Sequence, residues 1–252
     1  MFHRRERPWF METIVPLLIV GLFVAMLVLE RIFPGRPLPK VRYWALKGAF
    51  AFALCMVFAG AIPAAMAALL GGRSLVHLGW LPLPVAAFLG FLAGDLTFYG
   101  LHRLMHNVPF IWRWSHQMHH SAERIDILGS NYFHPFDFTM QLVVSTLPTM
   151  LLGLSPTAAA VSGLIGYFFG NFPHLNVRTP QWIGLFIQRP EAHAVHHGRG
   201  IHAYNYGNFP LWDILFGTFR NPTTFQEPAG FWDGASAKVG AMLIGRNVGE
   251  RS

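Results

Sequence analysis

Long apolar segments separated by short polar ones dominate the sequence up to residue 172. Residues 14–29 are almost wholly apolar, residues 44–70 form a longer apolar run, and residues 82–101 form a third. A helix needs about 20 apolar residues to cross a bilayer, so each run predicts a membrane helix, the first of them slightly short. A signal peptide is the alternative for the first run, but Glu30 and Arg31 follow it directly, without a small-residue cleavage site.

The apolar segment 136–172 is too long for a single membrane crossing. Pro148 and the stretch 153–156 interrupt it, and proline ends helices. We therefore predict a hairpin of two helices, the second of which begins near Ser155. Such a hairpin returns the chain to the side of the membrane that it left. Beyond it the chain becomes mixed in character, with an interfacial helix predicted near residues 181–187.

The composition supports a membrane protein. Hydrophobic residues make up 53% of the chain and charged residues 12%, whereas soluble domains carry about 25% charged residues. A single cysteine, Cys55, lies inside an apolar run. A disulfide within the chain and a cysteine-based zinc site are therefore excluded.

The net charge of +7 does not indicate nucleic-acid binding, because Lys and Arg are scattered between apolar segments without a basic helix or an RNA-binding motif. The loop 31–47 is basic, and the polar segment that follows residue 101 contains Arg103, Arg113 and Arg124. Two membrane crossings separate these segments, so they share a side, which the positive-inside rule makes cytoplasmic. The N-terminal arginines then lie outside, in conflict with that rule; they are Arg4, Arg5 and Arg7.

Histidine is the unusual feature of the sequence, since 11 of its 13 histidines lie between residues 102 and 202. Three clusters stand out: an HxxxH at 102–106, an HxxHH at 116–120 and a second HxxHH at 193–197. Residues spaced by three or four share one face of a helix, and neutral imidazole binds iron, zinc and copper. Eight ligands are too many for one ion, so the clusters predict two.

Other metal chemistries fit the sequence less well. A zinc protease needs HExxH with Glu as general base, but residue 103 is Arg and no HExxH occurs. Soluble di-iron bundles use Glu-x-x-His pairs, which are also missing from the sequence. A metal transporter needs polar residues inside several membrane helices, and apart from Asp95 the predicted helices are almost free of them.

One polar stripe precedes the first cluster. Asp95, Tyr99, His102 and His106 lie at offsets 0, 4, 7 and 11, which at about 100° per residue keeps them on one face of a helix. Asp95 is predicted to accept a hydrogen bond that orients a histidine ligand. A buried Asp that a neighbouring helix satisfies is the alternative.

These residues resemble the fatty acid hydroxylase/sterol desaturase superfamily of integral membrane di-iron oxygenases. The stretch from Asp95 to His106 resembles its first motif, and Trp112 followed by the 116–121 segment resembles the second. The third is the most specific: His193-x-x-His196-His197-Gly198-Arg199, then Asn205-Tyr206-Gly207 and a 211–218 segment that contains Asp213. The resemblance covers about half of the chain. It gives three divisions: N-terminal membrane helices and loops (1–81), a catalytic domain (82–220) and a C-terminal tail (221–252) without a recognisable signal.

The resemblance implies an all-α fold of about four membrane helices with a cytosolic helical cap that holds a histidine-rich di-metal site. It implies a set of metal ligands, which are His102, His106, His116, His119, His120, His174, His193, His196 and His197. We add His134 from a His-Pro element, either as a ligand or as a residue that orients the site, with Asp137 as its acidic companion. Asp95, Tyr99 and Asp213 are the candidate catalytic residues. His202 has no counterpart in the family pattern and is interpreted as an interfacial histidine.

The implied reaction is the hydroxylation or desaturation of a lipid by O2 at two iron ions, although zinc can occupy the site in recombinant protein. Electrons must come from a separate donor of the ferredoxin or cytochrome b5 type, since the sequence has no haem or flavin motif. A carotenoid hydroxylase or ketolase is the alternative enzyme. We expect a multi-pass protein of the bacterial inner membrane rather than of the endoplasmic reticulum, with the metal site facing the cytoplasm.

Overall fold

The computed structural model describes residues 13–225 and 228–249. The regular elements of these residues are all helices, joined by turns and loops, and the one pairing of β type is an isolated bridge between Gly198 and Ala229. The predicted all-α class is therefore confirmed. The α-helices in chain order are α1 (Val15–Ile32), α2 (Trp44–Leu70), α3 (Leu83–Asn107), α4 (Pro109–Trp114), α5 (Gln117–His120), α6 (Pro135–Leu151), α7 (Pro156–Asn171), α8 (Pro190–His196), α9 (Pro210–Leu215) and α10 (Val239–Leu243). The 3₁₀ helices are Phe172–His174, Gln181–Leu185 and Ala235–Ala237.

Three of these helices, α1, α2 and α3, are long and apolar enough to cross a membrane. The boundaries of α2 coincide with the predicted run 44–70, whereas α1 extends three residues beyond the prediction, to Ile32. Helix α3 continues past the apolar run to Asn107 and so carries the first histidine cluster. The arginines at positions 4, 5 and 7 lie outside the described residues. The number of spans and the cytosolic cap stay predictions.

The segment 136–172 forms the predicted hairpin of two helices, α6 and α7. Ser155 caps α7 by accepting a hydrogen bond from the backbone N–H of Ala158 at 3.2 Å. The predicted break at Pro148 is wrong, because α6 continues through this residue to Leu151. Pro148 lies in the last turn of the helix, and the chain reverses only at the residues that follow Leu151.

The hairpin packs on α3 along its length. Gly94 of α3 permits this approach, since a Cβ atom there would lie 2.6 Å from the carbonyl oxygen of Ser145 on α6. At the turn, the backbone N–H groups of Leu75 and Val76 donate to the carbonyl of Leu151 at 2.8 and 3.2 Å. The turn therefore meets the loop between α2 and α3, at the end of the helices opposite the histidines.

The chain after residue 221, for which the sequence predicts nothing, is part of the folded unit. The backbone carbonyl of Ser236 accepts hydrogen bonds from the Tyr132 hydroxyl at 2.8 Å and the Lys47 ammonium group at 3.1 Å. Gln117, next to the second histidine cluster, donates to the carbonyl of Arg246 at 2.8 Å. The tail thus packs over the segment 116–134 and holds it against the N-terminal helices.

Candidate metal centre

Nine histidines meet at one end of the helices and form two groups, in each of which the imidazole nitrogens lie within 4.8 Å of one another. The first group consists of His102, His106, His116, His120 and His196. The second consists of His119, His174, His193 and His197. The sequence predicts these nine residues and His134 as ligands. His134 belongs to neither group.

The spacing of the histidines explains the division into two groups. Residues four apart stay together, as His116 and His120 do in the first group and His193 and His197 do in the second. The residue at the intermediate position joins the opposite group: His119 lies in the second and His196 in the first. Each HxxHH motif therefore contributes to both groups, so that α5 and α8 hold the two groups next to each other.

The distances between the ring nitrogens fit metal coordination. In the first group, the Nε2 atoms of His102 and His116 lie 2.9 Å apart. In the second, the Nε2 atom of His174 lies 3.0 Å from those of His119 and His193. Two imidazoles bound at right angles to one ion at about 2.1 Å would have nitrogens about 3.0 Å apart. Each group can therefore hold one metal ion.

Buried nitrogens without a hydrogen-bond partner support the same conclusion. Among the described residues, the Nε2 atoms of His106, His120 and His196 are buried and make no hydrogen bond. Such atoms are costly unless a ligand satisfies them. Burial, reinforced by neighbouring imidazoles, lowers the pKa of His120 and His196 well below the usual value. These rings are neutral at neutral pH and so able to bind a metal ion.

The outer nitrogens of several rings are fixed by hydrogen bonds. The Nδ1 atoms of His102, His196 and His174 donate to the backbone carbonyls of residues 206, 204 and 170 at 2.6, 2.7 and 3.0 Å. The Nδ1 atom of His116 donates to the buried carboxylate of Asp137 at 2.8 Å. These bonds fix the tautomers so that each Nε2 atom presents a lone pair to the site.

The prediction that Asp95 orients a histidine directly is wrong. Its carboxylate accepts hydrogen bonds from the backbone N–H groups of Asn208 and Phe209, both at 3.1 Å. Seven residues separate Asp95 from His102, a rise of about 10 Å along the helix, which is beyond the reach of an Asp side chain. Asp95 instead holds the start of α9 against α3.

Asp213 and Tyr99 also form contacts with the segment 205–218, which belongs to the third motif. The Asp213 carboxylate accepts hydrogen bonds from the backbone N–H groups of Tyr206 and Gly207, both at 2.8 Å. The Tyr99 hydroxyl lies 3.1 Å from the Thr218 hydroxyl. Since the carbonyl of Tyr206 is the partner of His102, Asp213 positions that ligand through the loop. None of these three candidates lies within the two histidine groups, so we interpret all three as positioning residues.

Two further histidines, His134 and His202, lie outside the two groups and differ in their contacts. His134 caps α6 through Nδ1, which accepts from the N–H of Phe136 at 3.1 Å, and its Nε2 lies 3.3 Å from the carbonyl of Leu243. His202 lies beside the site, with its Nδ1 atom 3.1 Å from the Nδ1 atom of His120. Sequence reasoning missed this contact because His202 belongs to no spaced cluster and lies in a loop with a left-handed backbone (φ 42°).

A cavity of about 450 Å³ extends from the histidines into the space between the helices. Its volume lies within the range of about 300–1,000 Å³ that is usual for ligand pockets. Residues along α6, from Phe138 to Met150, follow it from the metal end to the hairpin turn. Its apolar walls include Phe52, Met56, Phe91, Phe98 and Leu164, and its metal end includes His102, His116, His119, His174 and His193. An apolar chain can therefore reach the histidines from within the helix bundle.

Fold and site together define a membrane protein with a histidine-rich metal centre at the end of an apolar cavity. The sequence model of the fatty acid hydroxylase family matches residues 87–218, just over half of the chain. The chain belongs to this family. The predicted superfamily is thereby confirmed, and the description of the family agrees with the predicted class of enzyme, an oxidoreductase.

Three curated relatives are each similar to more than half of the chain. The ornithine lipid hydroxylase OlsE of Rhizobium tropici is 32% identical over 146 residues, 56% of this chain and 44% of that protein. The Delta(7)-sterol 5(6)-desaturase of Eremothecium gossypii is 31% identical over 181 residues, 68% and 50% of the two chains. Human alkylglycerol monooxygenase is 30% identical over 154 residues, 58% and 33%. The chain spans half the length of these relatives or less. No solved structure matches it significantly.

Proposed function

We propose that this protein is a membrane-bound oxygenase that holds two iron ions and uses O2 to hydroxylate or desaturate a lipid. The observation that carries the proposal is the opening of one apolar cavity directly onto both groups of histidines. The three relatives are named as a lipid hydroxylase, a sterol desaturase and an alkylglycerol monooxygenase. All three names denote the oxidation of a lipid, which agrees with the apolar character of the cavity.

In the proposed site, His102, His106, His116, His120 and His196 bind one ion. His119, His174, His193 and His197 bind the other. A bound pair of iron ions supplies the activation of O2 and the oxidation of an unactivated C–H bond. Hydroxylation consumes one O2, two electrons and two protons and releases one water; desaturation consumes the same and releases two. Because no haem or flavin motif occurs in the sequence, we assign the electrons to a separate ferredoxin- or cytochrome b5-type donor.

The residues of the chain bind and orient the substrate. The cavity walls exclude water from an apolar chain and direct it along α6 towards the histidines. The carbonyls of Tyr204 and Tyr206 and the carboxylate of Asp137 hold the ligand rings in fixed orientations. His134, which caps α6, is assigned a structural role and no longer a ligand role in this proposal.

The distribution of charge supports a cytoplasmic site. Among the described residues, Arg73 is the one Lys or Arg at the end of the helices that carries the hairpin turn, while the others lie towards the histidine end. The positive-inside rule assigns the basic end to the cytoplasm, where reduced electron donors are available. We assign the protein to the bacterial inner membrane.

The proposal is tested by metal analysis together with O2 consumption and lipid analysis. The purified protein should contain about two metal ions per chain, and iron rather than zinc should support O2 consumption coupled to lipid oxidation. His119→Ala and His196→Ala should each abolish turnover while the protein still inserts into membranes, because the helices are apolar independently of the site. A metal content near one, or full activity without metal, would contradict the proposal.

A further inference from the structure

Two short elements beside α3 expose a continuous set of large apolar side chains. The 3₁₀ helix Gln181–Leu185 packs against α9. Six large apolar residues on these elements and just after them are between 46% and 66% exposed. We call these six residues the apolar ridge: Trp182, Leu185, Phe186, Ile214, Leu215 and Phe216. A contiguous apolar surface of this kind marks a protein or membrane contact.

The contacts of α9 with α3 indicate the depth of the apolar ridge in the membrane. The ring of Tyr99 stacks on Phe216, with centroids 5.3 Å apart and planes at 22°, and Asp95 holds the start of α9. Tyr99 is 16 residues beyond Leu83, the first residue of α3, a rise of about 24 Å. The hydrocarbon layer of a bilayer is about 30 Å thick. With α3 crossing the membrane, α9 therefore lies within this layer or at its boundary.

Charged groups next to the ridge indicate that this part of the protein lies at the level of the lipid head groups. Arg103, one turn beyond Tyr99 on α3, is exposed and donates to the Tyr99 hydroxyl at 3.3 Å. Arg220, four residues after Phe216, is exposed and lies over the ring of Tyr204 at 4.2 Å. Two arginines beside an apolar surface complement anionic head groups above acyl chains, which is the arrangement of an interfacial helix.

We propose that the apolar ridge docks in the boundary between head groups and acyl chains of the leaflet on the metal-site side. The membrane then holds α9 as well as the long helices. Helix α9 carries Asp213, which binds the backbone N–H groups of Tyr206 and Gly207, and Tyr206 in turn is the partner of His102. The lipid contact therefore supports the loop that orients a metal ligand. This inference concerns the placement of the protein in the membrane and does not depend on the proposed reaction.

A spin label at residue 215 tests the placement. Leu215→Cys in a Cys55→Ala background, labelled with a nitroxide, is placed in vesicles of phosphatidylcholine and phosphatidylglycerol. Collisions with O2, which concentrates in lipid, and with a water-soluble nickel chelate are measured by electron paramagnetic resonance. Phe88→Cys, on the exposed face of α3, provides the lipid reference, and Lys238→Cys, at an exposed position of the C-terminal tail, provides the water reference.

We expect the label at residue 215 to behave like the label at residue 88, with collisions with nickel several-fold fewer than at residue 238. A label that meets the nickel chelate as often as the one at residue 238 would overturn the proposal, and so would a label that neither reagent reaches, since a protein would then cover the ridge. Brominated lipids give a second measurement. They should quench the fluorescence of the wild-type protein more than that of Trp182→Phe, and equal quenching would contradict the proposal.

Discussion

The Nδ1 atom of His116 lies 2.8 Å from the carboxylate of Asp137, and both side chains are buried. The Nε2 atom of the same ring faces His102 at 2.9 Å. Asp137 comes from the first turn of α6, which also lines the cavity. One residue therefore links the orientation of a candidate ligand to the helix along which the substrate is proposed to lie.

Replacing this carboxylate should weaken metal binding. In Asp137→Asn the side chain loses its charge, and because an amide can donate as well as accept, it holds the His116 tautomer less firmly than the carboxylate does. Losses of this kind cost about 10–100-fold in metal affinity. Metal retention should be measured by competition with a chelator, followed by elemental analysis. Asp233→Asn, which removes a carboxylate that is 87% exposed, is the control. Equal retention by Asp137→Asn and the wild type would show that the bond does not support the metal.

His202→Ala should reduce turnover less than His196→Ala and should leave the metal content unchanged. His202 meets the Nδ1 atom of His120, whereas the Nε2 atom of His120 belongs to the buried set without a hydrogen-bond partner. His202 thus contacts the His120 ring at Nδ1, while the Nε2 atom of that ring faces the proposed metal site. His77→Ala provides a matched control, because His77 lies in the loop at the opposite end of the helices and contacts Ser74. Loss of a metal ion in His202→Ala would instead make His202 a ligand.

Filling the cavity should block long substrates without disturbing the metal. Gly166 lines the cavity, and a Cβ atom there would have Phe91 at 4.0 Å as its nearest neighbour. Gly166→Ala should therefore keep wild-type activity, while Gly166→Leu places a branched side chain in the path of the lipid. We expect the activity of Gly166→Leu to fall with increasing chain length of the lipid offered, at an unchanged metal content. A uniform loss that is accompanied by loss of metal would indicate misfolding.

Eight of the nine grouped histidines and the long helices could be predicted from the sequence because both depend on local spacing, whereas His174 was predicted only from the family resemblance. The 44–70 run predicts α2 by length and hydrophobicity alone, and the HxxHH motifs predict imidazoles close together on one side of a helix. The residues that hold the rings could not be found in this way. Backbone carbonyls carry no sequence signal. The carbonyl of Tyr206, for example, accepts the hydrogen bond of His102 although the two residues are 104 positions apart in the sequence. The spacing predicts that Asp95 shares a face of α3 with His102, but the partner of Asp95 depends on how the segment before α9 packs.

The last prediction concerns the side of the membrane on which the site lies. The hairpin turn is bonded to the loop between α2 and α3, so both should face the periplasm, and the histidine end should face the cytoplasm. Arg73→Cys and Lys238→Cys are suitable positions, since both residues are exposed, and each is introduced with Cys55 replaced by Ala. A membrane-impermeant thiol reagent added to intact spheroplasts should label the cysteine at residue 73 and spare the one at residue 238, and inverted vesicles should give the opposite pattern. Labelling of both positions from the same side would show that α3 does not cross the membrane, and the reversed pattern would place the metal site outside the cytoplasm.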